Sequence, residues 1–134
     1  MIKAHLEEIR SSLPASTVLI AVSKTHPSER IREAYEAGQR DFGENKVQEL
    51  VEKYEGLPKD IRWHMIGHLQ SNKVKYIAPF VHLIHGVDSV NLLKEINKQG
   101  IKNERQIACL LQFHIAQEDT KFGLSLEEAK AFLA

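Results

Sequence analysis

The sequence predicts an α/β fold built from parallel strand–helix units. Five short apolar runs of strand length recur along the chain, and stretches with the period of a helix separate them. The runs start about twenty to twenty-five residues apart, which is the spacing of parallel strands joined by crossover helices. Linkers and low-complexity segments are absent, so we expect residues 1–134 to form a single domain.

Each predicted strand is an apolar run short enough to be buried in a sheet. The second run is the weakest of the five. The predicted strands are Val18–Val22, Arg40–Gly43, Ile61–Ile66, Val81–Val87 and Ile107–Ile115.

Helices are predicted before the first strand and between the strands, where apolar residues recur at i, i+3, i+4 and i+7. Capping and breaking residues place the ends of these helices. The first helix between strands starts at Pro27 or Ser28 and ends at Gly38, the next ends at Gly56 and Pro58, another runs from Ser89 to Gly100, and Ser125 with Glu128 forms a possible capping box for the last.

Five strand–helix units fit two folds. One is an open flavodoxin-like sheet, and the other is the first five units of a (β/α)8 barrel, which normally needs about 250 residues. A length of 134 residues by itself favours the open sheet. Both folds build their sites from the loops that follow the carboxyl ends of the strands.

The composition excludes several classes of function. Lys plus Arg and Asp plus Glu both number 18, so the chain has no net charge with which to hold a nucleic acid or an anionic membrane surface. The single cysteine, Cys109, lies in the apolar run Ile107–Leu111 and is predicted to be a small buried hydrophobe. With no disulfide, signal peptide or membrane-spanning run, the chain is expected to be cytoplasmic.

Lys24 is the first candidate for chemistry, because it follows the strand Val18–Val22 at its carboxyl end. Strand alternation places Lys24 on the same side as Val22, and in a barrel that side is the interior. An ammonium group held there loses hydration, which favours the free amine, a nucleophile toward an aldehyde. The alternative is a lysine whose stem packs on the core while its head reaches water.

Asn45 is the candidate that follows the second strand. Gly43, two residues earlier, permits a sharp turn or the close approach of a ligand. Asn45 either caps the helix that carries Val47 or contacts a ligand, and the residues alone favour the cap.

His64 and His68 follow the third strand with the i, i+4 spacing of a helical metal pair. Gly67 interrupts the helix that such a pair needs, so no metal site is predicted. His82 and His85 lie in the fourth strand, where alternation predicts opposite faces and no shared ligand. Lys121 and Gly123 lie in the loop after the fifth strand.

Three segments, in this order, resemble the pyridoxal phosphate homeostasis family, also called YggS-like. They are Ala21–Thr25 (AVSKT), Phe42–Asn45 (FGEN) followed by Gln48 and Glu49, and Trp63–Lys73 (WHMIGHLQSNK). Val87–Ser89, Leu110–Gln112 and Lys121–Gly123 resemble later segments of that family, so the resemblance covers the chain from about Thr17.

The resemblance implies a barrel related to the N-terminal domain of alanine racemase. It implies that pyridoxal 5′-phosphate binds as a Schiff base on Lys24, with Asn45 and the segment from His64 to Gly67 around the cofactor ring. The implied role is cofactor homeostasis, in which the aldehyde is held and released to apo enzymes rather than turned over.

The chain departs from the family in two ways. Family members are considerably longer, and the loop that holds the cofactor phosphate belongs to a later region, so we expect a truncated chain with weak cofactor binding. Such a chain would either self-associate through its open edge and apolar inner face or flatten into a flavodoxin-like sheet. His114 also stands where many relatives have asparagine.

Two enzymatic alternatives stay open. An amino-acid racemase needs a second acid–base group opposite the lysine, but Tyr35 and Tyr54 belong to helix core stripes and Tyr76 to a short helical segment. A class I aldolase-like enzyme would use Lys24 toward a keto substrate instead.

Overall fold

Helices and strands alternate along the chain, beginning with a helix. The computed structural model describes residues 2–24, 26–113 and 125–133. Within these ranges the elements are α1 (Ile2–Ser11), β1 (Ala21–Val22), α2 (Ser28–Glu36), β2 (Asp41–Glu44), α3 (Val47–Gly56), β3 (Arg62–Met65), a 3₁₀ turn (Ser71–Lys73), α4 (Val74–Ile77), β4 (Leu83–Val87), α5 (Val90–Lys102), β5 (Ala108–Leu111) and α6 (Leu126–Leu133).

The five strands form one parallel sheet in the order β1-β2-β3-β4-β5. Each strand therefore pairs with the strand that precedes it in sequence. A flavodoxin-like sheet would place β1 between β2 and β3, so the observed order excludes that alternative. Consecutive units of a (β/α)8 barrel have the observed order, and the prediction of the first five units of such a barrel is confirmed.

The apolar core lies between the sheet and the helices. Trp63 and Ile84 from the strands and Leu50, Val74 and Ile77 from the helices are at most 1% exposed. Burying a side chain of this size contributes about 1.5–3 kcal/mol, so this layer holds the strands in place.

The opposite face of the sheet is the barrel's interior face. Residues paired in register share a face, and one such row runs through Val22, Gly43, His64, Leu83 and Ala108. At the β1 end this face is open, since Val22 is 49% exposed. The interior face thus joins exposed apolar groups at its margin to polar groups at its centre.

Four of the five predicted strands, all except the second, are longer than the observed ones. Of the run Val18–Val22 only Ala21–Val22 pairs with β2, and Val18 is 64% exposed. β4 begins at Leu83 rather than Val81, because the Val81 amide donates to the Ile77 carbonyl (2.8 Å) and closes the turn after α4. Residues 114 and 115 of the predicted fifth strand lie outside the described residues.

The helix ends follow their capping residues in most places. Gly38, just past α2, has φ of +102°, which glycine adopts without strain. Ser89 accepts a hydrogen bond from the Leu92 amide (3.1 Å), and the predicted start of α5 is confirmed. The predicted box of Ser125 and Glu128 also forms.

Gly100 does not end α5, which continues to Lys102. A Cβ at Gly100 would lie 2.9 Å from the Arg105 carbonyl oxygen, so the glycine permits the returning chain to pass close to the helix. Cys109 is only partly buried, and this burial raises the pKa of its thiol. Among the described residues, no helix has the length and apolar character needed to span a lipid bilayer.

Candidate functional site

The candidate residues gather where the strands end. Lys24 follows β1, Asn45 follows β2, Gly67 follows β3 and Asp88 follows β4. Because parallel strands share one carboxyl edge, all four lie on the same side of the molecule. This edge is the candidate site.

Lys24 is exposed and lies in a turn that the His26 amide closes by donating to the Ser23 carbonyl (3.1 Å). Within the described part of the chain, no hydrogen bond or ion pair involves the Lys24 ammonium group. The desolvation that the sequence predicted is not observed, because Val22 on the same strand is itself exposed. The amine is therefore accessible to a ligand.

Ser23, next to Lys24, forms hydrogen bonds through its amide, its hydroxyl and its carbonyl. Its amide donates to the Gly43 carbonyl (3.0 Å), and its hydroxyl contacts the Glu44 carboxylate. Lys53 of α3 donates to the Ser23 carbonyl (2.8 Å) and to Glu44 Oε2 (2.9 Å). Burial raises the pKa of Glu44, while the hydrogen bonds from Lys53 and Ser23 oppose that rise.

Asn45 and Gly67 are brought into contact. A Cβ at Gly67 would lie 2.7 Å from the Asn45 carbonyl oxygen and 2.9 Å from its Cα, so only glycine fits. The residue that caps α3 is Lys46, without a side-chain hydrogen bond, and the interpretation of Asn45 as the cap is wrong. Asn45 is partly buried at this edge.

His64 lies on the interior face and is buried. Its Nε2 is 3.0 Å from Asp41 Oδ1, and its Nδ1 is 2.9 Å from His85 Nε2. Since a carboxylate only accepts, His64 Nε2 carries the proton of the first bond. Both ring nitrogens are thus engaged, and any contact of His64 with a cofactor ring stays a prediction.

The His82 and His85 rings both contact His64, at centroid distances of 5.3 and 5.2 Å. The prediction that they point to opposite faces is wrong. His82 lies in a bend before β4, so strand alternation does not extend to it. Burial, together with the charge of His64, lowers the pKa of His85.

Asp41, His64 and His82 offer ligand atoms within 4.8 Å of one another, a spacing suited to a metal ion. However, Asp41 already accepts two hydrogen bonds from Arg62, at 3.0 and 2.8 Å. Although burial raises the pKa of Asp41, the bonds from Arg62 and His64 outweigh burial and lower it. A metal ion would have to displace this guanidinium, so we assign none.

His68 lies beside Asp88 at the carboxyl edge, where its Nδ1 is 3.1 Å from Asp88 Oδ2. β3 ends at Met65, and no helix in the described ranges carries both histidines. Thr25, His114, Lys121, Gly123 and the rest of the loop Gln117–Leu124 lie outside the described residues.

Sequence reasoning missed the partners that hold the candidates. Lys53 lies three residues after Leu50 on the buried side of α3, and a charge within such an apolar stripe is a signal that it has a buried partner. Asp41 and Arg62, which begin β2 and β3, gave no comparable signal.

The fold and the carboxyl-edge groups define a protein of the parallel (β/α)-barrel class. Residues 1–134 match the family described as "Alanine racemase, N-terminal domain", and the chain belongs to this family. It is 46% identical to the pyridoxal phosphate homeostasis protein of Aquifex aeolicus over 113 residues, which cover 84% of this chain and 50% of the relative.

Solved structures agree with this assignment. The PipY protein of Synechococcus elongatus with pyridoxal phosphate bound is 40% identical, with a TM-score of 0.88 over 99% of this chain and 62% of PipY. Alanine racemase of E. faecalis, at 18% identity, has a TM-score of 0.74 over 98% of this chain and 36% of the racemase, and it shows the fold alone. The chain spans about half the length of the curated relatives it matches.

Proposed function

We propose that this chain binds pyridoxal 5′-phosphate at the carboxyl edge of its sheet and serves cofactor homeostasis. The observation that carries the proposal is the likeness to PipY, whose structure holds this cofactor and matches 99% of the chain at 40% identity. The name of the Aquifex aeolicus relative supports the homeostasis role.

Lys24 is proposed as the residue that holds the cofactor. Its amine joins the aldehyde carbon as a Schiff base with loss of one water, and the bond is reversible in water. The exposed position after β1 and the absence of a competing partner in the described residues support this role. The bound cofactor would supply its aldehyde as a store rather than as an electron sink for turnover.

The neighbouring residues fit a flat ring near Lys24. Gly67 lets the loops after β2 and β3 meet without a side chain between them, and the Asn45 amide offers a donor and an acceptor at that junction. His64, fixed by Asp41 and His85, is proposed to form part of the polar surface beneath the ring.

No racemase function is proposed. A racemase needs a second acid–base group at the site, and Tyr35 and Tyr54 are engaged elsewhere in the fold. Tyr35 donates from its hydroxyl to Asp60 (2.5 Å), and Tyr54 stacks on Phe80 at 3.9 Å. Nothing observed favours an aldolase either.

Replacing Lys24 tests the proposal directly. The chain is incubated with excess pyridoxal phosphate, reduced with borohydride and mapped by mass spectrometry. We expect a dominant adduct on Lys24, its loss in Lys24→Ala, and its retention in the matched control Lys59→Ala, whose amine contacts only the end of α3. An equal distribution over the exposed lysines in the unsubstituted chain would contradict the proposal.

Release to apo enzymes is a second part of the proposal. A chain loaded with cofactor and freed of excess should reactivate an apo pyridoxal phosphate enzyme, and a chain reduced with borohydride should not. Equal reactivation by both preparations would show that free cofactor, not the loaded chain, is the donor.

A further inference from the structure

We propose that the buried Glu44–Lys53 pair, on the helix side of the sheet, positions Lys24 for reaction with an aldehyde by fixing Ser23. This inference rests on the proposed function of Lys24. It assigns a role to two buried charged residues.

The link between the pair and Lys24 is a single peptide plane. The Ser23 carbonyl belongs to the planar peptide group that also contains the amide nitrogen and Cα of Lys24. Lys53 Nζ (2.8 Å) and the His26 amide (3.1 Å) both donate to this carbonyl. Fixing the oxygen therefore fixes the direction in which the chain enters Lys24.

Glu44 fixes the other side of Ser23. Its Oε2 accepts from both Lys53 Nζ and the Ser23 hydroxyl, while the Ser23 amide donates to Gly43. The residue before Lys24 is thus tied to β2 through its amide and side chain and to α3 through its carbonyl. Rotation of the Ser23–Lys24 peptide would break the Lys53 contact.

Stability alone is a poor explanation for this pair. Glu44 is fully buried and the Lys53 side chain is 10% exposed, yet Glu44 Oε1 has no hydrogen-bond partner in the described part of the chain. A buried ion pair with an unsatisfied oxygen stabilises a fold no better than apolar side chains of similar volume. The pair does, however, deliver a donor to a backbone oxygen beside the reactive lysine.

A charge-neutral double variant separates positioning from stability. Glu44→Gln with Lys53→Met removes both charges together, so neither is left buried and alone. Lys59→Met is the matched control, because Lys59 is an exposed lysine that contacts the Tyr54 and Glu55 carbonyls and the Tyr54 ring at the end of α3. Glu44→Asp is a milder second variant, which keeps both charges and withdraws the carboxylate by one methylene.

Each variant of the 134-residue chain is reduced with borohydride in excess pyridoxal phosphate. The readouts are the adduct on Lys24 relative to that on the exposed Lys98, and the thermal midpoint measured in parallel. We expect the ratio of the Lys24 adduct to the Lys98 adduct to fall about tenfold in the double variant and about threefold in Glu44→Asp. The ratio should be unchanged in Lys59→Met.

A folded double variant with an unchanged ratio would overturn the inference. If the double variant does not fold, an unchanged ratio in Glu44→Asp would overturn it equally. A loss of Lys24 labelling that follows the thermal midpoint from variant to variant would also overturn it, since it would show a purely structural role. Failure of the unsubstituted chain to label Lys24 would instead refute the proposed function.

Discussion

At the scale of single residues, the contact between Gly67 and Asn45 shows how closely the loops at the carboxyl edge approach each other. The atoms nearest to a Cβ at Gly67 belong to the backbone of Asn45, which cannot rotate away as a flexible side chain could. A side chain here therefore requires the two loops to separate.

We expect Gly67→Ala to lower the free energy of unfolding by about 1–3 kcal/mol, the usual cost of an added methyl group without room. Gly56→Ala is the matched control, since a Cβ there meets nothing within 4 Å and the residue ends a helix. Urea unfolding of both variants measures the difference. Equal stabilities would show that the loops separate at no cost.

His85 couples the interior face to pH. Because its pKa is lowered by burial and by His64, the folded state favours the neutral ring, whereas the unfolded chain titrates near 6.5. Between these two values the unfolded state binds more protons, so stability rises with pH. The stabilisation is fully present above pH 6.5 and is lost as the pH falls through the folded pKa.

The free energy of unfolding of the unsubstituted chain should therefore decrease between about pH 7.5 and about pH 5.5. His85→Gln should show a smaller decrease, because its amide does not titrate. His5→Gln, at an exposed position of α1, should match the unsubstituted chain. A decrease of the same size in all three proteins would assign the effect to other groups.

The position of Lys24, Asn45 and Gly67 at one edge could be predicted from the sequence, because the carboxyl ends of parallel strands share one edge. The residues that hold them could not. To predict the contact between Lys53 and Ser23, one must know how α3 is oriented about its own axis relative to the sheet. A periodic pattern shows only which side of a helix is apolar.

At the scale of elements, the sequence predicted which segments form strands and helices better than where they end. Ser89 specified the start of α5 because a hydroxyl at that point satisfies an otherwise unpaired amide. The predicted end of α5 at Gly100 is wrong, because a glycine can permit the close approach of another segment as well as end a helix. The two-residue length of β1 depends on its pairing with β2, which no local pattern contains.

The cap gives a prediction for α5. Ser89→Ala should lower the free energy of unfolding by about 1 kcal/mol, since the Leu92 amide loses its acceptor. Ser71→Ala is the control, because Ser71 is exposed and its side chain forms no hydrogen bond within the described ranges. If denaturant unfolding gives the same midpoint for both variants, the Ser89 cap does not stabilise α5.

At the scale of the whole molecule, the sheet has two edges in the described chain, β1 and β5, and an interior face with exposed apolar groups. Leu110, two residues beyond Ala108 of the interior row, is exposed near one edge, and Val22 is exposed at the other. Burying a few hundred Å² of such apolar surface contributes several kcal/mol, at about 25 cal/mol per Å². We expect this surface to favour association with a second copy of the chain.

We expect the 134-residue chain to sediment as a concentration-dependent mixture rather than as a monomer. Leu110→Glu should shift this mixture toward monomer, because a charge on the interior face opposes its burial. Ile101→Glu, at an apolar position on α5 that is more exposed than Leu110, should have no effect. A monomer at every concentration would show that the interior face does not drive association.

The consecutive order of the strands also bears on how the chain folds during synthesis. Each strand of the described sheet pairs with the strand that begins about twenty residues earlier in the chain, so each pairing can form once the next unit has been synthesised. The sheet can therefore grow vectorially, with each new unit docking on the one already outside the ribosome. Nascent chains arrested at increasing lengths should gain protease resistance stepwise, one unit at a time, and a single step at full length would exclude such growth.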